Sequence, residues 1–252
     1  MPFSFDFLDD GRVLEWRSTP DGADVTVEEE YTPRFYVAAR SPEIDVDLDG
    51  LQTYYDRHPN VLETTIERRR TGFRREEEPV LAVDVDHVDR VPTLARQTRQ
   101  HSASPVGDVA CFNVDFSREF RYCLEADIDP TPTTGLRTLR LGVPLSETTG
   151  DAYGELSIDG ETVRGPPENI LAAVADAVET HDPDVLVCST SDIVPTLYEM
   201  GRDVDAEFTL SRWPDVDYQR LASRSTYASY GRVGHSPARY NVPGRAIIDE
   251  SN

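Results

Sequence analysis

The sequence contains no lysine: all 25 basic residues are arginine, and they face 47 acidic ones, for a formal charge of −22 at pH 7. That imbalance excludes a chain that gathers nucleic acid by bulk charge, because phosphate would be repelled over most of its surface. It points instead to a salt-saturated cytoplasm, where carboxylates stay hydrated and self-repulsion is screened within roughly 3 Å at about 1 M salt. Counterion release drives little binding there, so a DNA partner must be held by shape, stacking and local arginine contacts. Cysteine is scarce. Cys111, Cys123 and Cys188 are odd in number and widely spaced, which excludes a disulfide framework and a metal knuckle and leaves reduced core thiols. No apolar run reaches the 18 to 20 residues of a membrane span, and the start MPFSFDFLDD is no signal peptide, so a cytoplasmic protein with no membrane partner is expected. No internal repeat is evident.

What is present is enough apolar residue, 38% of 252, for one large or two modest cores. Residues 1 to about 40 alternate apolar stretches (FSFDFL, VLEW, VTVEEEY, RFYVAA) with Asp-Gly turns, which predicts an antiparallel meander. A helical stretch from Asp47 to His58 precedes the strand VLETTIERRR, the turn TGFRR and the strand VLAVDVDHV; DRVPTLARQTRQH reads as a helix. VACFNVDFSREFRYCLEADIDPTPTTG mixes a strand with a short amphipathic helix and ends in a Pro/Thr linker, which places a domain boundary near residue 134. Beyond it come the strand LRTLRLGV, a hairpin around Asp159-Gly160, a helix from Pro167 to His181 and the strand DVLVC. The expected fold is an α+β amino-terminal domain, 1–134, followed by a partial α/β domain, 135–252.

Several of these stretches carry a resemblance. YTPRFYVA, the strands around IERRRTGFRR, and above all VDFSREFRYCLEADIDPTP resemble the amino-terminal domain of family B DNA polymerases. LRTLRLGV and HDPDVLVCSTSDIVPTLYEM resemble the 3'→5' exonuclease domain of that family, which is RNase H-like; YASYGRVGHSPARYNVPGRAIID is similar to the region after the second exonuclease motif in haloarchaeal members. The resemblance implies a DNA partner. Laid on this chain, the family's metal-binding Asp-x-Glu falls on Gly142 and Pro144, and the Asn and Asp of its second motif on Thr190 and Pro195. None of the four supplies a carboxylate, and two-metal phosphodiester hydrolysis depends on carboxylates. No catalytic residue, metal or cofactor is therefore expected. The acids nearby, Glu147, Asp151, Asp182, Asp184 and Asp192, read as solvated surface residues, although a shifted alignment would bring Asp192 or Glu147 toward a metal. The DVD strings at 84–86 and 215–217 precede any palm region and read as strand and surface acids.

For DNA contact, the resemblance matches Pro33, Pro92 and Arg121 to pocket positions that hold template strand in archaeal members. The aromatic expected three residues before the arginine is Arg118 here. Arg121 and Tyr122 precede the linker and are expected to face a groove; the tail from Tyr230 interleaves Tyr240 and His235 with Arg232, Arg239 and Arg245, a pattern suited to base stacking plus phosphate contact. Arg68, Arg69, Arg70, Arg74 and Arg75, followed by Glu76, Glu77 and Glu78, read as a self-neutralising hairpin. His58, His87, His101 and His181 have no partner at ligand spacing. The expected function is the DNA-binding, catalytically silent portion of a family B DNA polymerase, the chain ending within the exonuclease-like domain as the family draws it. Two alternatives stay open: a piece that docks a separately encoded polymerase chain, and an active exonuclease using shifted acids.

Overall fold

The computed structural model describes residues 1–41, 43–101, 108–131, 133–144, 152–229 and 232–251, with only the backbone at 101, 227–229 and 232–235. Two compact units result: one of Phe7–Val13 and Val27–Asp129, the other of Met1–Asp6, Leu14–Thr26 and Pro130–Asn252. The passage at 129/130 falls near the Pro/Thr linker. Residues 1–6 and 14–26, however, group with the carboxy-terminal unit and not with the amino-terminal domain that the linear reading drew.

The chain opens with β1 (Ser4–Phe7), β2 (Val13–Thr19) and β3 (Gly22–Glu28), a three-stranded sheet in that order. The fourth stretch of the expected meander, β4 (Arg34–Ala39), does not join them. It pairs antiparallel with β6 (Glu77–Val85) and β7 (Val109–Phe112), and β5 (Val61–Arg70) closes a sheet of order β5-β6-β4-β7. The reason is burial: Phe35 and Val37 find their apolar partners in Leu81, Val83 and Val85, not in the hairpin next to them in sequence. Helices α1 (Leu48–Tyr55) and α2 (Arg90–His101) complete a β-α-β-β-α-β unit, covering one sheet face with Leu51, Tyr55, Val91, Leu94 and Ala95. Asp47 caps α1 by accepting the Gly50 amide at 2.8 Å. In α3 (Arg118–Glu125) Ser117 does the same for Phe120 at 3.2 Å.

In the other unit, β8 (Thr138–Gly142) is central to a five-stranded sheet of order β10-β9-β8-β11-β16. Here β9 (Glu155–Ile158) and β10 (Glu161–Arg164) run antiparallel, while β11 (Val185–Cys188) pairs parallel with β8 and with β16 (Ala246–Asp249). The β9–β10 turn is the expected Asp159-Gly160, with φ of 49° and 89°, the backbone a two-residue hairpin favours. Helix α4 (Pro167–His181) begins on proline, where the missing amide costs nothing, and buries Ile170, Leu171, Val174 and Val178. Helix α5 (Ile193–Asp203), absent from the linear reading, packs Ile193, Val194 and Leu197 into the same core. Four short strands follow α5: β12 (Gln219–Ala222) pairs with β15 (Arg239–Asn241), and β13 (Ser225–Ser229) with β14 (Arg232–Ser236). No helix of the described residues is long and apolar enough to cross a membrane.

Candidate functional site

The carboxyl edge of β8, β11 and β16 is where an open α/β sheet places its chemistry. Gly142 ends β8, and a Cβ there would meet only the Ser157 side chain, at 3.7 Å. Beyond β11, the Ser189 hydroxyl accepts the Val143 amide at 3.1 Å and the buried Ser191 hydroxyl donates to the Ala238 carbonyl at 2.8 Å. These serines fasten loops. Pro195 is buried in the first turn of α5, and Asp192, just before that helix, binds the Arg224 guanidinium at 2.5 Å. The acid that reaches this edge unforeseen is Asp249, opposite Cys188 in register. Its Oδ1 accepts the amide and hydroxyl of Ser251 at 2.9 and 2.6 Å, while Oδ2 is buried without a donor in good geometry. Burial pushes this carboxyl up, but the Ser251 bonds and the adjacent Ser191 outweigh it and hold the pKa below the ordinary value. Asp192 and Asp249 are carboxylates at this edge, and no group of three or more metal-binding side chains exists among the described residues. Glu147 and Asp151 lie outside those residues.

At the opposite end of β11, two of the acids read as solvated prove otherwise. Asp184 is 0% exposed. It takes Arg137 Nη2 at 2.7 Å, the Ser18 hydroxyl at 2.9 Å and Arg212 Nη2 at 3.1 Å. Asp182 ends α4 with a left-handed φ of 36° and takes Arg212 Nε at 2.8 Å and Arg245 Nη1 at 3.3 Å. Burial raises both carboxyls, yet the hydrogen bonds and charges of Arg137 and Arg212 bring their pKa values below the ordinary 3.8. Arg245, buried beside the Arg212 charge, is lowered to about 10 and remains a cation at neutral pH.

The expected DNA-contact residues thus separate into several environments. Arg121 is 2% exposed. Its guanidinium donates to the Arg34 carbonyl at 3.0 Å, to Glu125 Oε1 at 3.4 Å and to the Asn113 carbonyl. Tyr122 is buried edge-on against Tyr31 at 4.8 Å and Phe7 at 6.0 Å, and Arg118, in the place of the expected aromatic, lies 5.2 Å over the Phe7 ring. Glu125 also accepts the Tyr31 hydroxyl at 2.7 Å, and burial with this carboxylate pushes the Tyr31 phenol upward. Pro33 is buried, its carbonyl accepting the Val85 amide at 3.0 Å, whereas Pro92 is exposed in the first turn of α2. Arg245 donates Nε to the Leu210 carbonyl at 2.6 Å. Tyr240 is buried, with Tyr218 at 5.8 Å and the Arg220 guanidinium 5.7 Å over its ring. Arg232 lies in β14, with its side chain outside the described residues, and Tyr230 lies outside them altogether.

The cations that do face solvent on the β12–β15 ribbon are Arg220 and Arg239, with Arg224 beyond the end of β12. Arg220 and Arg224 were overlooked in the sequence, where they are isolated residues in an acidic background; the pairing of Arg220 with Tyr240 across the ribbon brings an exposed guanidinium onto an aromatic face. The basic hairpin is partly self-paired, Arg69 with Glu67 at 3.0 Å and Arg75 with Glu78 at 3.4 Å. His87 Nε2 is 3.0 Å from the Leu8 carbonyl, a loop contact. The three cysteines are free and buried, and burial pushes the Cys188 thiol up to about 12, out of reach of thiolate chemistry. Compared with protein-family models and with the curated proteins, the chain matches none.

Proposed function

We propose that this chain is the DNA-binding amino-terminal and exonuclease-like portion of a family B DNA polymerase, without catalytic motifs of its own. The observation that carries the reading is the sheet order β10-β9-β8-β11-β16, with three antiparallel strands followed by two added in parallel. That is the arrangement on which an RNase H-like domain is built, and the positions where the family's metal-binding residues fall, Gly142 and Thr190, carry no carboxylate for two-metal hydrolysis. Single-stranded DNA is the partner, held by Arg220, Arg224 and Arg239 beside Tyr240, while Arg121 and Arg245 hold the two units in shape from inside.

The test is binding of a short labelled single strand over a series of high salt concentrations. Arg220→Ala and Arg239→Ala each weaken binding and flatten its salt dependence; no binding by the parent chain would remove the DNA reading. In the same samples, Mg²⁺ or Mn²⁺ produces no degradation of the strand. Degradation abolished by Asp192→Asn or Asp249→Asn would establish the exonuclease alternative instead.

A further inference from the structure

We propose that two copies of this chain associate through the outer edge of β5, antiparallel about Ile66, to continue the four-stranded sheet of one copy into that of the other. Strand β5 spans ten residues and has no strand on its outer side among the described residues. It exposes Leu62 (61%) and Ile66 (37%), and an unpaired edge of this length is a template for another strand. The Thr64 carbonyl already accepts Gln52 Nε2 at 3.2 Å, which marks the even-numbered residues as those whose backbone groups turn away from β6.

The charge pattern of VLETTIERRR selects both the occupant and the register. In an antiparallel self-pairing with Ile66 opposite Ile66, Thr64 faces Arg68, so the outward backbone groups of the regular stretch beyond the bulge at Val61–Glu63 find partners. On the other face Glu63 lies opposite Arg69, twice by symmetry, and Thr65 opposite Glu67. A slip of two residues in total register sets Glu63 against Glu67 in one direction and Glu67 against Glu67 in the other, and like charges facing each other are unfavourable. Each half of the strand is therefore complementary to the other half, the property a twofold interface requires. The antiparallel direction also points the hairpin tip beyond Arg70 toward the end of β5 that carries Pro59 in the second copy. Phe73 at that tip is 95% exposed, and Pro59 with Gly50, Thr53, Tyr54, Arg57 and His58 lines a shallow, mainly apolar pocket of about 390 Å³. An unburied aromatic on one copy thus meets an apolar recess on the other. On pairing, the Gln52 amide gives up the Thr64 carbonyl to the Arg68 amide of the second copy.

The experiment is sedimentation velocity on the full chain over a wide concentration range at about 1 M salt, where screening to roughly 3 Å still leaves contact ion pairs in force. A concentration-dependent dimer is expected. Glu63→Arg and Arg69→Glu each weaken self-association by about tenfold or more, because each variant sets like charges opposite one another twice. An equimolar mixture of the two restores it, since Arg then faces Glu at both sites. Phe73→Ala weakens the dimer without altering the register. Ile66→Cys, the native cysteines being buried, cross-links to itself under mild oxidation, whereas Thr64→Cys, facing Arg68, does not. A chain that stays monomeric, a mixture no tighter than either variant alone, or cross-linking through Thr64→Cys in place of Ile66→Cys overturns the proposal.

Discussion

Asp184 and Arg121 illustrate what an ionisable side chain does once it is withdrawn from water. Removing one partner of a buried pair leaves the other charge uncompensated, a loss of about 3 kcal/mol or more. Asp184→Ala is therefore expected to lower stability by that order, read from the denaturant midpoint, with Arg137 and Arg212 left to share Asp182. The pH dependence has a definite sign. Asp182 and Asp184 have pKa values below 3.8 in the fold, so they add stability above that value and lose it as pH falls through their folded values. Acid unfolding followed by dichroism at constant high salt should steepen below about pH 4, and Asp184→Asn should flatten it. Arg121→Ala, which strips donors from the Arg34 and Asn113 carbonyls and from Glu125, should cost about 3 kcal/mol. Arg239→Ala, on the surface, should stay within about 0.5 kcal/mol while weakening DNA binding. Stability and binding measured on the same variants separate the two roles.

Among the elements, the hairpins show how one residue type carries different costs in different settings. Gly160 has φ +89°, and a Cβ there would meet nothing within 4 Å. Gly160→Ala should then cost only the backbone strain of a left-handed alanine, about 1 kcal/mol. Gly244 has a similar φ of +79°, but a Cβ would fall 2.8 Å from Arg212 Cβ and 3.1 Å from the Trp16 ring, and its amide donates to the buried Asp6 at 2.8 Å. Gly244→Ala should cost several times more, read as the shift in denaturant midpoint between the two variants. The elements themselves were largely legible. VLETTIERRR and VLAVDVDHV form β5 and β6, and the helix from Pro167 to His181 has the expected bounds, because alternation, helical spacing and Asp-Gly turns act over a few residues. Helix α5 was not, since Pro195 in its first turn is a breaker signal that masks the helical spacing of Ile193, Val194 and Leu197.

For the whole molecule, the dominant quantity is a charge of −22 with no lysine to offset it. Unscreened repulsion expands such a chain, so far-ultraviolet dichroism should fade on dilution below moderate salt and recover when salt is restored. A spectrum unchanged between low and molar salt would remove the halophile argument. The buried arginine–aspartate network around β11 should be less sensitive to salt than the exposed pairs, because ions penetrate it less.

The sequence by itself determined most of the local elements and the thiol character of the cysteines, since each depends on residue type and short-range spacing. Tertiary structure alone decided the partners. It took RFYVAA away from its neighbouring hairpin, turned Arg121 and Tyr122 inward onto Arg34, Asn113 and Tyr31, and made Asp182 and Asp184 the centre of an ion network with arginines from three other segments. Burial is the reason: a charge chooses between water and a distant counter-charge only when the chain between them has folded, and no local pattern records that choice.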